Sequence, residues 1–217
     1  MSHPVSAIIR RCLEIDIGAA RVYQNFMRLV LPDPLATLCR TLYADELEHI
    51  RYWRELVVLA EEGEMREVFE DAETILYEVE VIAAKVGAMR RESTARTDID
   101  TETLLLKVIE LEYVLLHPSF IVLFSFTTAR AGTKTMEGEY NEHIEHIASA
   151  LNTAAAANPL FPVIGDMLRR VWRETRRLVN LNQIDALSGI LNRRGFHEQV
   201  RPLVFLALRK RYTVAVM

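Results

Sequence analysis

The sequence predicts an all-α protein, and three observations carry that expectation. Apolar residues recur every three or four positions through most of the 217 residues, the period of a helix with one buried face. Half of the residues are hydrophobic, and only eight Gly and seven Pro interrupt them, a composition suited to long helices and a core. The third observation is a short stretch, Asp45-Glu46-Leu47-Glu48-His49, that sets two polar residues on an apolar helix face.

Helix one is expected from Pro4 to about Leu31, burying Ile8, Cys12, Ile15, Ala19, Val22, Tyr23, Phe26 and Val30. Asp16 lies on that same face, four residues after Cys12 and seven before Tyr23. Pro32-Asp33-Pro34 makes a tight connection into an antiparallel helix two. There Leu35, Leu38, Leu42, Trp53, Leu56 and Ala60 share the helical phase of Glu46 and His49, which therefore look inward. Glu48 shares its side with Thr41, Asp45, Arg51 and Glu55 and looks outward. Three positions apart, Glu46 and His49 are neighbours on one turn and can meet one metal ion. A carboxylate facing a core needs such compensation.

Helix two ends near Gly63, and a shorter amphipathic helix follows with Val68, Ala72, Ile75, Val79, Ile82 and Val86 on one side. Glu92 to Asp100 reads as a polar loop. This whole segment is long enough to cross from one end of a bundle to the other. Helix three, about Thr101 to Thr127, is apolar nearly all round, with a kink expected at Pro118. It carries Glu110 and Glu112. In one register Glu110, His117 and Phe120 echo the spacing of Asp16, Tyr23 and Phe26. In another, Glu110-Leu111-Glu112 matches Glu14-Ile15-Asp16 and selects Glu112. Helix four, about Lys134 to Ala157, turns Met136, Tyr140, His143, His146, Ile147 and Ala150 inward and Glu142 and Glu145 outward. Its His143-Ile144-Glu145-His146-Ile147 repeats Glu46 to Ile50 with His in place of the first Glu.

These residues resemble the ferritin-like family, and within it the rubrerythrin-like branch, over about residues 1–157. The resemblance implies a four-helix bundle with a long crossover between its second and third helices. It also implies two irons held by a carboxylate from each of two helices and Glu-x-x-His from each of the other two. Carried over position by position, it nominates Asp16, Glu46, His49, Glu110 or Glu112, His143 and His146 as metal ligands. Two departures stand out: Asp16 replaces a Glu, and His143 replaces the second bridging-type Glu. With fewer carboxylates and more imidazole, a single metal, or zinc or another divalent ion, is the alternative to di-iron.

After Asn158-Pro159 the pattern changes. Phe161, Ile164, Leu168, Val171, Thr175 and Leu178 form a heptad seam over a linker helix, residues 158–184, suited to a parallel coiled-coil homodimer. The segment Asp185-Ala186-Leu187-Ser188-Gly189-Ile190-Leu191-Asn192-Arg193-Arg194-Gly195-Phe196 resembles the opening of a GGDEF diguanylate cyclase domain, with Ser188 for the family's Thr. A helix from Gly195 to Arg211 and a strand at Thr213 to Met217 are expected from that likeness. Residues 185–217 hold neither the GGDEF loop nor the metal-binding Asp, so no cyclase activity is expected of them.

A net charge of −4 gives no reason to expect nucleic acid as a partner. Tyr113 to Phe126 is broken by His117-Pro118-Ser119 and is too short to span a membrane. No long apolar run follows Arg10-Arg11, so no signal peptide is expected. Cys12 and Cys39, both on apolar faces, suggest a reduced, cytoplasmic protein. The expectation is a metal-binding sensory domain for oxygen, redox state or metal, with oxygen or peroxide as its small-molecule ligand. In complete relatives it would be coupled to cyclic di-GMP synthesis. The competing classes are a ferroxidase or peroxidase and a metal-free helical dimerisation module.

Overall fold

The computed structural model describes residues 4–61, 69, 71–124 and 136–181, with isolated positions between 190 and 213. Seven helices lie among them: α1 (Pro4–Phe26), α2 (Asp33–Glu61), α3 (Ala72–Ala95), α4 (Thr101–Leu115), α5 (Pro118–Phe124), α6 (Met136–Thr153) and α7 (Phe161–Leu181). No helix among the described residues is long and apolar enough to cross a membrane.

Prolines and polar caps set the boundaries. α1 stops at Phe26, short of the expected Leu31, because Arg28 and Leu29 bond back three residues to Asn25 and Phe26 and tighten the turn before Pro32. Val30, expected inside, is 99% exposed as a result. Asp71 caps α3 by accepting from the Thr74 amide at 3.0 Å, and Asp100 caps α4 through the Thr103 amide at 2.8 Å. α3 runs on to Ala95, four residues into the loop expected from Glu92 to Asp100, and residues 96–100 are non-helical. Ser93 and Thr94 satisfy their hydroxyls on the Arg90 carbonyl and accept from Asn25 of α1 at 3.0 and 2.9 Å. At Pro118 the expected kink is a full break: the ring cannot donate, and α5 begins there as a separate helix.

α1 is the axis of the first half, packed against α2 on one side and α3 on the other. α3 is therefore more than a crossover: Val79, Ile82, Val86 and Met89 are buried against its neighbours. The approach to α1 is tight, since a Cβ on Gly18 would lie 2.8 Å from Val86 Cγ1. α6 packs against α2 and α7. One core joins all of this, with Tyr23, Phe26, Trp53, Phe120, Phe124, Phe161 and Trp172 as its largest members.

The heptad seam of α7 packs largely within the chain. Phe161, Leu168, Trp172 and Val179 are buried in the core, with Ile164 and Val171 packed against it, so most of the heptad seam is covered by the chain's own α6 and α5. At Gly165 the two helices nearly touch: a Cβ would sit 3.3 Å from the backbone of Ala148. Arg169 forks onto Glu145 of α6 at 2.8–3.0 Å. Leu178, the last seam residue, is exposed, as are Leu160, Val163 and Met167 on the outer face. Most of the segment Asp185 to Phe196, of the helix expected from Gly195 to Arg211 and of the strand expected at 213–217 lies outside the described residues.

Gly18→Val provides the stability check on the α1–α3 contact. Val86 is β-branched and has few rotamers with which to yield. The substitution is expected to cost about 1–3 kcal/mol by overpacking, read from urea or thermal denaturation. An unchanged midpoint would show that the two helices are not held this closely.

Candidate metal centre

Five ionisable side chains from four helices meet inside this core. Asp16 comes from α1, Glu46 and His49 from α2, Glu112 from α4 and His143 from α6, and none is more than 3% exposed. The apolar stripes place them. On α2, Leu42, Glu46, His49 and Trp53 follow one another at helical spacing, all buried. On α4 the stripe Leu105, Val108, Glu112 and Leu115 does the same.

The ligand-type atoms form two triads, Asp16–Glu46–His49 and Glu46–Glu112–His143, each with its atoms within 4.8 Å of one another. Glu46 belongs to both. His49 Nδ1 lies 3.4 Å from Glu46 and 3.9 Å from Asp16. The first contact lacks hydrogen-bond alignment, so both carboxylate oxygens of Glu46 are buried without a partner, as is His49 Nε2. The remaining members are held from behind. Trp53 Nε1 donates to Asp16 at 2.5 Å, and the Tyr23 hydroxyl donates to Glu112. His143 Nε2 lies 2.9 Å from the other oxygen of Glu112, and its Nδ1 lies 3.0 Å from Asp45.

Burial and crowding set the protonation of the group. Burial holds the Asp16 and Glu46 carboxyls well above the usual range; Glu46 then repels Asp16, and Glu112 repels Glu46. Burial pushes His49 down, partly offset by Asp16. Burial alone would also lower His143, but the carboxylates of Glu112, Asp45 and Glu46 outweigh it and hold the imidazole well above its ordinary value. Asp45 is the counterpart: burial would raise it, but hydrogen bonds and charge from His143 and His146 bring it down.

Of the sequence-predicted set, Asp16, Glu46, His49, Glu112 and His143 come together. Glu110 and His146 stand apart. Glu110 points to water and pairs with Lys107 at 3.0 Å; two residues along a helix is more than half a turn, so it cannot share the buried stripe of Glu112. His146 is 43% exposed by side chain, since each third residue drifts about 60° around a helix and His143 already sits at the edge of the stripe. Its Nδ1 reaches Asp45 at 3.2 Å.

Helical phase puts Asp45 on the outward side, yet it ties the exposed His146 to the buried His143. A signal exists in the sequence: Asp45 immediately precedes the inward Glu46 and so flanks the buried face. Asp45 also bears on the charge balance. Asp16, Glu46 and Glu112 supply three negative charges against the four positive of two divalent ions, and Asp45, one hydrogen bond outward, supplies the fourth.

The residues fit a divalent metal. Orphaned oxygens on Glu46 and an orphaned nitrogen on His49, in a site of carboxylate and imidazole donors, are what a cation would satisfy. Asp45 and Trp53 stand where partners that orient ligands usually stand. No protein-family model matches the chain, and no curated protein sequence matches it.

The protonation pattern predicts a pH dependence for the chelator-treated chain. Native Asp16 and Glu46 keep protons that the unfolded chain releases above 3.8 and 4.5, and native His143 keeps one released above 6.5. Stability from these groups is lost as pH rises. His49 acts oppositely, but its contribution is lost only as pH falls below 6.5. From pH 6.5 upward the melting temperature should therefore fall, and saturating zinc should flatten the slope because metal requires the deprotonated groups. Circular dichroism melts across pH check this; a flat profile without metal would contradict the assigned protonation.

Proposed function

We propose that the chain is a ferritin-like, metal-binding sensory domain that responds to oxygen, redox state or metal. The observation that carries this reading is the convergence of Asp16, Glu46, His49, Glu112 and His143 in a sealed core, with Glu46 common to both triads. Glu46 would serve as a ligand in either metal position. Asp16 and His49 would complete one position, and Glu112 and His143 the other. Bound iron would supply a charge and coordination preference that change with oxidation state. The protein supplies the fixed cage and the means of sensing a change in it.

An aromatic column supports sensing over turnover. The Tyr140 ring of α6 stacks on His49 at 5.1 Å between centroids and 21° between planes. It also meets Trp172 of α7 at 4.9 Å, over which Arg176 lies at 5.7 Å. A shift of the His49 ring is thus passed to α7 by packing, because close-packed side chains have no slack to absorb it. Residues 158–184 would carry that shift to residues 185–217, whose likeness to the start of a GGDEF domain suggests cyclic di-GMP synthesis as the output of proteins that join such a bundle to a whole GGDEF domain. Pairing of two copies would use the outer face of α7, where Leu160, Val163 and Met167 are exposed, since the heptad seam is mostly spent inside the chain.

Metal content tests the reading directly. Elemental analysis of chain purified without added metal should show iron, zinc or another divalent ion. Glu46→Ala should empty both positions, whereas His49→Ala and His143→Ala should each spare the other. Unchanged metal content in all three would leave only a buried polar cluster. Peroxide consumption by the loaded chain would move the reading to an enzyme.

Coupling has a separate test in hydrogen–deuterium exchange. Adding metal should alter exchange in α7 around Trp172 as well as in α2. Tyr140→Leu should keep the α2 response and lose that of α7. If α7 in the wild type does not respond to bound metal, the sensor reading fails.

A further inference from the structure

Beside the cluster, between α2 and α6, lies an open pocket of about 150 Å³ lined by Asp45, Glu48, His49, Glu139 and Glu142. Four of the five are carboxylates. The pocket meets the cluster at two points, one for each triad. His49 forms part of its wall while being only 1% exposed, and His49 Nε2 has no hydrogen-bond partner. Asp45 forms another part and holds His143 Nδ1 at 3.0 Å.

The five cluster side chains are otherwise sealed, so a cation must cross some wall to reach them. A cleft lined by one sign of charge concentrates counter-ions and speeds their arrival. Divalent cations can be held by one or two carboxylates while keeping several waters, so such a lining offers stepping stones without trapping the ion. Glu48 is paired with Arg51 at 2.5 Å, and Glu139 and Glu142 have contacts of their own, but Glu48 and Glu142 are surface groups, where such pairs exchange.

We propose that this pocket is the port by which a hydrated divalent cation enters, held first by the rim carboxylates and passed inward between Asp45 and His49. The inference rests on the metal-binding reading above and adds the route to it. Asp45 exchanges its histidine contacts for the cation during passage. Glu48 and Glu142, exposed at the rim, govern the rate of arrival rather than the final occupancy.

The test uses the full chain, stripped with chelator and mixed rapidly with cobalt(II), whose visible absorption reports coordination. In the Glu48→Gln/Glu142→Gln double variant, initial loading at low salt should slow by about three- to tenfold. High salt should narrow the difference, and the final cobalt stoichiometry should match the wild type. Equal loading rates at low salt would overturn the proposal. A lowered final stoichiometry would also overturn it, because the rim residues would then be ligands rather than a route. Failure of the wild-type chain to take up cobalt at all would remove the metal-binding reading itself, and the port with it.

Discussion

A carboxylate with no partner at the centre of a helical core is the constraint around which the rest is arranged. Glu46 is fully buried, and neither oxygen finds a donor. Leaving such a group ionised costs several kcal/mol, so it either keeps its proton or meets a cation. Everything near it follows that choice. Without metal, burial favours the protonated form of Asp16 and Glu46, and the carboxylates around His143 favour its charged form. A bound cation would displace those protons and take the same atoms as its ligands. The proposed sensing role would rest on the difference between these two electrostatic states.

The supporting layer is as informative as the ligands. Trp53, Tyr23 and Asp45 each hold one cluster member in a fixed orientation from outside. Trp53 follows Glu46 by seven residues on α2, and Tyr23 follows Asp16 by seven on α1, so each lies two turns along the same buried face. Asp45 differs because it is half in water, linking the interior to His146 and to the acid-lined pocket. A single carboxylate thus fixes the imidazole of His143, completes the charge balance and opens onto solvent.

α7 changes the mechanical picture. Its Phe161, Leu168 and Trp172 are core residues, and Gly165 lets it lie almost against the backbone of α6. A helix seated this closely moves with its neighbour instead of hanging from it. The aromatic contact from His49 through Tyr140 to Trp172 runs through that seam. Separation of the helices before residue 158 from the one after it is therefore a division of the sequence more than of the packing.

The helices and the inward faces that carry Asp16, Glu46 and His49 were legible in the sequence, because helical periodicity is a local property that each segment carries alone; that the three meet was implied only by the family resemblance. Even the choice between Glu110 and Glu112 was present as two registers. Tertiary structure decided what periodicity leaves open. It selected Glu112, because α4 buries Val108 and Leu115 against its neighbours while Glu110 turns to Lys107. It left His146 at the surface and drew Asp45 toward the cluster, because how far a buried stripe extends depends on the helix that covers it. It spent the heptad seam of α7 on the chain's own core. A stripe of apolar residues states that a face will be covered; only the assembled fold states by what.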